Sequence, residues 1–231
     1  MTVNLVLFDL DGTLLDTAPD LGGALNALRA ENNLTPLTHD MIRPVVSHGA
    51  PALLKLGFGI APNDSRYSGI RNRLLELYAE RITRETTYFP GIESLLQELE
   101  RRNLTWGVVT NKPSHLTDPL LRAFGMYERA ACVVSGDTTL RRKPYPDQLL
   151  YACDLCEMRP ASSIYFGDAQ RDVQAARAAG MRALVAMYGY IQADEQPDTW
   201  EADALLEHPD QLLGWLDEQT ALNQTPQEVD A

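Results

Sequence analysis

Short runs of strand-forming residues alternate along this chain with longer segments that carry an apolar helical stripe. The strand-like runs are 3–8, 104–110, 131–134, 163–166 and 181–186. Between them, apolar residues recur at helical spacing, as at Ile92, Leu95, Leu96 and Leu99. Strands that alternate with helices favour a parallel sheet, because parallel neighbours are joined by helical crossovers. We therefore predict an α/β fold with a parallel sheet.

The segment from about Pro19 to Arg84 interrupts this alternation. It contains two helical stripes with no convincing strand between them, namely Leu21, Ala24, Leu25 and Leu28, and Ile70, Leu74, Leu77 and Tyr78. We predict a small all-helical cap domain, residues 18–84, inserted after the first strand of a catalytic core that comprises 1–17 and 85–218. Residues 219–231 are polar, and we expect them to form a frayed tail.

The charge balance restricts the partners of this protein. Its 231 residues include 20 Lys and Arg against 32 Asp and Glu, which gives a formal net charge of -12. Nucleic acids and anionic membranes are bound through basic faces, so neither is an expected partner. An acidic protein that handles an anionic substrate needs local positive charge, from a metal ion or from a few cationic side chains.

Neither the N-terminus nor the cysteines indicate export. Residues 1–10 lack the basic flank and long apolar run of a signal peptide, and no stretch of 18 apolar residues predicts a membrane span. Three cysteines are a poor disulfide framework, so we expect a cytoplasmic protein. Cys153 and Cys156 form a C-x-x-C without a second pair, so we interpret them as helix residues rather than zinc ligands.

Two carboxylates directly follow the first strand, in the segment Asp9-Leu-Asp-Gly-Thr. Ligands of parallel α/β sheets bind at the carboxyl ends of strands. A carboxylate can attack phosphorus, and a second carboxyl group can protonate the leaving oxygen and then deprotonate water. Gly12 permits the sharp turn that brings both groups to one centre. We predict Asp9 as nucleophile and Asp11 as general acid and base; the alternative is a capping turn without chemistry.

Further polar residues follow the later strands. Thr110 ends the second run, Lys143 follows the third, and Asp168 and Asp172 follow the fourth. Each also has an ordinary interpretation, as a strand end, a surface charge or an acid that stabilises a helix dipole. The chain contains only three lysines, which are Lys55, Lys112 and Lys143. A lysine at 143 therefore suggests that a compact point charge is needed there, whereas Lys112 is interpreted as a surface residue.

In this order the motifs resemble the four signatures of the haloacid dehalogenase superfamily. The matching segments are 9–13, 108–113, 143–146 and 166–172. The resemblance implies a Rossmann-like parallel sheet with helices on both faces, and a hydrolase that forms a transient aspartyl-phosphate at Asp9. It also implies that the Thr110 hydroxyl and the Asn111 backbone N–H hold the phosphate, while Lys143 offsets its charge.

Charge predicts a cation at the same place. Asp9, Asp11 and Asp168 would crowd around a phosphate dianion, and oxygen ligands beside a phosphate favour Mg²⁺. By resemblance, the ligands are the Asp9 carboxylate, the Asp11 backbone carbonyl and the Asp168 carboxylate. Asp172 is expected to act through water.

The resemblance extends to about Asp217, and the helical cap is typical of the phosphoglycolate phosphatase-like group. Segments such as 106–113 and 188–191 are more similar to a branch that acts on N-acetylmuramic acid 6-phosphate in cell-wall recycling, a part of carbohydrate metabolism. The expected partner is a small phosphorylated metabolite, with 2-phosphoglycolate and N-acetylmuramic acid 6-phosphate as open alternatives. We expect a monomer or a homodimer.

Some other activities found on the same fold would require different residues. A dehalogenase would not need Asp11, and a phosphonatase would need a Schiff-base lysine in the cap, where Lys55 is the only one. A non-enzymatic phosphate-binding protein should have lost a catalytic group, and none is missing. A phosphomutase also keeps all four signatures and stays an alternative.

Arg43 and His48 are the candidate substrate contacts in the cap. The core supplies only phosphate and metal contacts, so discrimination between esters must come from the cap. The resemblance implies that the Gly-containing turn after Arg43 faces the site. Arg43 is predicted to pair with a substrate carboxylate. The alternatives are a surface helix arginine and an ordinary surface histidine.

Overall fold

The computed structural model describes residues 3–224 of the chain. The strands are β1 (Leu5–Phe8), β2 (Leu15–Asp16), β3 (Thr87–Tyr88), β4 (Thr105–Val109), β5 (Val133–Val134), β6 (Ser163–Gly167), β7 (Arg182–Ala186) and β8 (Ala204–Leu206). The α-helices are α1 (Ala18–Glu31), α2 (His39–Ile42), α3 (Gly49–Phe58), α4 (Tyr67–Ala79), α5 (Ile92–Arg101), α6 (Ser114–Ala123), α7 (Asp147–Leu155), α8 (Gln170–Ala179) and α9 (Gln211–Gln224). Short 3₁₀ helices occupy Arg43–His48, Pro160–Ser162 and Pro197–Thr199.

Six of the described strands form one sheet in the order β5-β4-β1-β6-β7-β8. The central strand is β1, in which Leu5 pairs with Thr105 of β4 on one side and with Ser163 of β6 on the other. Every neighbouring pair in this sheet is parallel. The predicted α/β fold with a Rossmann-like parallel sheet is confirmed.

Helices cover both faces of this sheet. In β1, Val6 and Phe8 belong to one buried cluster and Leu5 and Leu7 to another, because successive side chains of a strand point to opposite faces. The first cluster contains apolar residues of α5, α6 and α9, and the second contains those of α7 and α8. All four residues of β1 are therefore buried, as is usual for a strand covered on both sides. Among the described helices, none has the length and apolarity needed to cross a membrane.

The segment between β2 and β3 has helices as its regular elements, which confirms the predicted helical cap after the first strand. It contains α1 to α4 and the 3₁₀ turn Arg43–His48. The flanking strands β2 and β3 pair antiparallel, with Leu15 opposite Tyr88. They are absent from the sequence-based prediction because two residues are too few to show a period. The division into a core and a cap at residues 18 and 84 stays a prediction.

A buried carboxylate connects the two ends of this helical segment. Asp20 on α1 is fully buried and accepts hydrogen bonds from the backbone N–H groups of Glu85 at 3.0 Å and Thr86 at 2.9 Å. The Thr86 hydroxyl donates to the same carboxylate at 2.8 Å, and Nε of Arg81 lies 3.3 Å from its other oxygen. The segment that enters the cap is thus hydrogen-bonded to the segment that leaves it.

The last strand of the sheet, β8, is also absent from the sequence-based prediction. Its three residues, Ala-Leu-Leu, include no β-branched or aromatic side chain. It is held against β7 by Asp203, whose N–H donates to the Ala183 carbonyl at 2.7 Å and whose carboxylate accepts from the Ala183 N–H at 2.8 Å.

The expectation of a frayed tail from residue 219 is wrong for its first part, because α9 continues to Gln224. The physical reason lies in its contacts with the sheet. Arg182 donates to the Gln219 side chain at 2.7 Å, and Leu216 on the same helix is buried in the core. Residues 225–231 of the predicted tail lie outside the described residues.

Candidate active site

The polar residues that follow separate strands in the sequence meet at one edge of the sheet. Asp9 follows β1, Thr110 follows β4 and Asp168 follows β6, so all three stand at the carboxyl ends of neighbouring strands. Lys143 reaches the same place from the loop before α7. Its Nζ lies 2.9 Å from Asp9 Oδ1 and 2.8 Å from Asp172 Oδ1.

Three carboxylates form a compact cluster there. Asp9, Asp168 and Asp172 each offer one oxygen, and these oxygens lie within 4.8 Å of one another. Asp168 and Asp172 are almost fully buried. Oδ1 of Asp168 is buried and has no hydrogen-bond partner among the described residues. An orphaned carboxylate oxygen in an acidic cluster is a position suited to a hard cation.

Burial and nearby negative charge disfavour the ionised forms of Asp9 and Asp168. Burial raises the pKa of Asp9 to about 6; Lys143 opposes this rise and Asp172 adds to it. Burial likewise raises the pKa of Asp168 to about 7, and both Asp172 and Asp9 add to the rise. A bound cation would favour the ionised form of both groups.

Glycine residues let the backbone pass close to Asp168. Gly12 has a φ of +87°, and a Cβ at this position would clash with the Asp168 carboxylate. On the other side, a Cβ at Gly189 would clash with Asp168 and with the Gly12 carbonyl. The next residue, Tyr190, donates its backbone N–H to Asp168 Oδ2 at 2.9 Å. The loop after β7 therefore belongs to the site, although its sequence carries no chemical motif.

Lys143 is a buried cation that compensates part of this negative charge. It is 3% exposed, and its Nζ also donates to the Tyr165 hydroxyl at 2.6 Å. Burial lowers the pKa of Lys143, but Asp172 and Asp9 raise it by more, so its net pKa lies above the usual value. The ammonium group is therefore charged beside the predicted nucleophile Asp9.

Two amide side chains fix the backbone of Lys143. Asn111 donates to the Lys143 carbonyl at 3.0 Å and accepts from the Lys143 N–H at 3.1 Å. Gln148 accepts from the same N–H at 2.9 Å and donates to the carbonyls of Thr110 and Ser135, also at 2.9 Å. The Asn111 side chain is thus engaged, so its predicted phosphate contact concerns the backbone N–H alone. The only sequence signal for Gln148 is a polar residue beside the apolar stripe of α7.

Asp11 has different partners from the acidic cluster. Its Oδ1 accepts hydrogen bonds from the Thr17 hydroxyl at 2.6 Å and from Lys112 Nζ at 2.8 Å. The interpretation of Lys112 as a surface residue is wrong, since only 8% of it is exposed. Its Nζ also donates to the Tyr78 hydroxyl at 2.9 Å, and its backbone N–H donates to the Thr110 hydroxyl at 3.1 Å. Burial lowers the pKa of Lys112, but Asp11 and Tyr78 raise it by more, so the group stays charged.

Arg43 lies where the cap meets the core. Its Nη2 is 3.6 Å from Asp16 Oδ2, and its guanidinium group lies over the Tyr190 ring, 4.7 Å from the centroid. Its side chain is 28% exposed. Arg43 is therefore not an isolated surface arginine, and its predicted contact with a substrate carboxylate stays a prediction.

The other end of this 3₁₀ turn reaches the acidic cluster. Ser47, which no sequence pattern indicated, donates its hydroxyl to Asp168 Oδ2 at 2.6 Å. Nδ1 of His48 lies 2.9 Å from Arg171, and its Nε2 is in contact with Gln192. Burial and the nearby Arg171 lower the pKa of His48. His48 thus lies between cap and core, and its contact with substrate stays a prediction.

Known proteins resemble this chain over nearly its whole length. Residues 6–186 match the family model described as haloacid dehalogenase-like hydrolase. The chain is 38% identical over 217 residues to N-acetylmuramic acid 6-phosphate phosphatase of Pseudomonas putida, with 94% of this chain and 97% of that protein covered. It is 42% identical over 207 residues to phosphoglycolate phosphatase of Xanthomonas campestris pv. campestris, with 90% and 93% covered.

A solved structure adds a comparison of folds. The crystal structure of a predicted phosphoglycolate phosphatase from Haemophilus somnus has a TM-score of 0.83 and 24% identity, and covers 93% of this chain and 98% of that one. At this identity the likeness shows the fold alone. The family match spans residues 6–186, which include the whole acidic cluster and Lys143. Because that match covers most of the sequence, the chain belongs to the haloacid dehalogenase-like hydrolase family.

Proposed function

We propose that the protein is a phosphoric monoester hydrolase that acts on small carboxylated metabolites through an aspartyl-phosphate at Asp9. One observation carries the proposal: Asp9 stands at the end of the central strand, 2.9 Å from the buried ammonium group of Lys143 and within the acidic cluster. A carboxylate nucleophile needs such a cation, because the phosphate it attacks is itself an anion.

The reaction takes place in two steps. First, a carboxylate oxygen of Asp9 attacks phosphorus, and the bond between phosphorus and the ester oxygen breaks while the carboxyl group of Asp11 donates its proton to that oxygen. Second, the Asp11 carboxylate removes a proton from a water molecule whose oxygen attacks the same phosphorus. The bond to Asp9 then breaks, inorganic phosphate is released, and both carboxyl groups regain their starting forms.

The acidic cluster fits a magnesium ion. The orphaned Oδ1 of Asp168 and the raised pKa of this group, about 7, support a site that lacks a positive charge of its own. The Asp9 and Asp168 carboxylates and the Asp11 backbone carbonyl would hold the ion, with Asp172 acting through water. When bound, Mg²⁺ supplies charge neutralisation for the carboxylates and the phosphate.

Phosphate binding is assigned to the loop after β4. The Thr110 hydroxyl and the Asn111 backbone N–H lie in the loop that the Asn111 and Gln148 side chains fasten to Lys143. This bonding supports a rigid phosphate pocket, in which Lys143 contributes the charge and the loop contributes neutral donors.

The substrate class follows from the relatives and the cap. One relative is named for N-acetylmuramic acid 6-phosphate and another for phosphoglycolate, and both of these esters carry a carboxylate besides the phosphate. Arg43 and His48 lie on the cap turn whose Ser47 contacts Asp168, so they are the candidates for binding that second anion. N-acetylmuramic acid 6-phosphate and 2-phosphoglycolate remain the two candidate substrates.

The test is a phosphate-release assay with purified protein and Mg²⁺. The three esters are 2-phosphoglycolate, N-acetylmuramic acid 6-phosphate and p-nitrophenyl phosphate, with Asp9→Asn as the inactive control. The proposal expects a higher kcat/KM for one carboxylated ester than for p-nitrophenyl phosphate, and no turnover by Asp9→Asn. Absence of phosphate release from all three esters contradicts it. Transfer of phosphate within a sugar phosphate, without release, identifies a phosphomutase instead.

A further inference from the structure

Lys112 is a second buried ammonium group at the site, and the proposed reaction gives it no role. Its Nζ lies 2.8 Å from Asp11 Oδ1 and 2.9 Å from the Tyr78 hydroxyl. It also lies over the Tyr78 ring, 4.4 Å from the centroid. Burial of an ammonium group is costly unless it is paired and hydrogen-bonded, so these contacts specify where the group sits.

The geometry divides these charged side chains into two separate groups. Lys143 contacts Asp9 and Asp172, while Lys112 contacts Asp11. Within the described residues, the Asp11 carboxylate is therefore held by its own cation and by the Thr17 hydroxyl, and it is not part of the acidic cluster. A carboxyl group that donates a proton to a leaving oxygen must be oriented towards that oxygen.

We propose that Lys112 is a positioning residue that orients the Asp11 carboxyl group for proton transfer. The proposal rests on the proposed function. The ammonium group is fixed at two points, by Asp11 in the core and by Tyr78 on α4 of the cap, so it restrains the Asp11 side chain to one rotamer. Without the Lys112 ammonium group, the Thr17 hydroxyl is the one remaining hydrogen-bond donor to the Asp11 side chain among the described residues. The carboxylate is then free to turn about that single contact.

Leaving-group dependence distinguishes this role from a structural one. p-Nitrophenolate leaves without protonation, whereas the alkoxide of a metabolite ester needs a proton from Asp11. Lys112→Met removes the ammonium group and keeps a long apolar side chain. We expect kcat/KM for the faster of the two candidate metabolite esters to fall about 10- to 100-fold, the usual effect of a misplaced catalytic group. With p-nitrophenyl phosphate, kcat/KM should fall less than about threefold.

A double variant tests whether the effect acts through Asp11. If Lys112 orients Asp11, then Lys112→Met combined with Asp11→Asn should be no slower on the metabolite ester than Asp11→Asn alone. Lys55→Met is the matched control, because Lys55 is an exposed lysine on α3, and it should keep wild-type kcat/KM for both esters. Thermal unfolding of each variant checks the fold, and Lys112→Gln replaces Lys112→Met if the latter does not fold.

The outcomes separate this proposal from the proposed function. Equal losses of kcat/KM on both esters, or additive losses in the double variant, overturn the role of Lys112. Wild-type protein without phosphatase activity, or active Asp9→Asn, overturns the proposed function itself. The expected pattern for Lys112→Met, together with inactive Asp9→Asn, supports both.

Discussion

The two most buried acids of the cluster differ in their partners. Asp172 lies 2.8 Å from Lys143 and accepts the Ala169 N–H at 3.0 Å, so it both caps α8 and faces a cation. Asp168 accepts hydrogen bonds from Ser47 and Tyr190 but has no cationic side chain in contact within residues 3–224. Burial, with repulsion from Asp172 and Asp9, raises the pKa of Asp168, and among the described residues no contacting cation offsets this rise.

This imbalance predicts how the stability of the metal-free protein depends on pH. The pKa of Asp168 rises from 3.8 to about 7 on folding, so the unfolded state ionises first. Asp168 makes its full contribution to the free energy of unfolding below pH 3.8. This contribution is lost as the pH rises from 3.8 to about 7. Asp168→Asn cannot ionise, so at pH 8 it should be more stable than wild type by about 1–3 kcal/mol.

Urea unfolding in EDTA at pH 5 and pH 8 measures this difference. Asp9 also has a raised pKa, so part of the pH dependence should survive in the variant. Asp168→Asn less stable than wild type at pH 8 would show that hydrogen bonding to Asp168 outweighs its desolvation.

Arg43 gives a second prediction for a single residue. If it binds the substrate carboxylate, Arg43→Ala should lower kcat/KM for the carboxylated ester by about 1.5–3 kcal/mol, the scale of a charged hydrogen bond. The loss on p-nitrophenyl phosphate, which has no carboxylate, should be small. Steady-state kinetics on both esters are the measurement. Equal losses would mean that Arg43 serves only its contacts with Asp16 and Tyr190.

At the level of elements, the sequence predicts those that show a clear period. The buried strand β1 consists of consecutive apolar residues, β6 has an apolar centre at Ile164, Tyr165 and Phe166, and α5 has four core residues on one face. The elements β2, β3 and β8 have two or three residues each, and only tertiary partners fix them. The same distinction applies to the site. Asp9, Lys143 and Asp168 come after strands, so their approach at one edge of the sheet was predictable, whereas Ser47 and Gln148 contact residues that are distant along the chain.

The contacts of Asp20 predict how much the connection between the two ends of the cap contributes to the free energy of unfolding. Asp20→Ala leaves the backbone N–H groups of Glu85 and Thr86 and the Arg81 side chain without their shared acceptor. We expect a loss of about 3–5 kcal/mol in the free energy of unfolding, as for other broken buried charge networks. Asp154→Ala, an exposed acid on α7, is the control and should change it by less than about 0.5 kcal/mol. A loss below about 1 kcal/mol for Asp20→Ala would contradict the role assigned to this carboxylate.

For the whole molecule, the proposed metal site predicts an effect of Mg²⁺ on stability. A cation that binds only the folded state should stabilise the protein by about 2.7 kcal/mol at 100 times its Kd. We expect Mg²⁺ to raise the Tm of wild-type protein measurably, and to raise that of Asp168→Asn much less.

The metal site also predicts how activity depends on cations. EDTA should abolish phosphatase activity, and added Mg²⁺ should restore it. Ca²⁺ should inhibit, because its looser coordination lets the attacking carboxylate bind in an unproductive geometry. Full activity after exhaustive chelation would exclude the metal site.

The parallel sheet was predictable because strand-like runs alternate with helical segments along the chain, and helical crossovers join parallel neighbours. The individual contacts between cap and core were not predicted. The Ser47, Arg43 and Lys112 contacts join residues more than 25 positions apart, so local sequence patterns do not identify these partners. Lys112 in particular was interpreted as a surface lysine, because its contact with Tyr78 on α4 is not apparent from the sequence.

The proposed function depends on phosphorylation of Asp9 during turnover, which chemical trapping detects. Enzyme that is turning over substrate with Mg²⁺ is quenched in acid, reduced with borohydride and digested, and the peptides are examined by mass spectrometry. The reduction converts an aspartyl-phosphate to homoserine, so we expect homoserine at position 9, dependent on substrate and absent from Asp9→Asn. Turnover without homoserine at position 9, or with the modification at another residue, would contradict it.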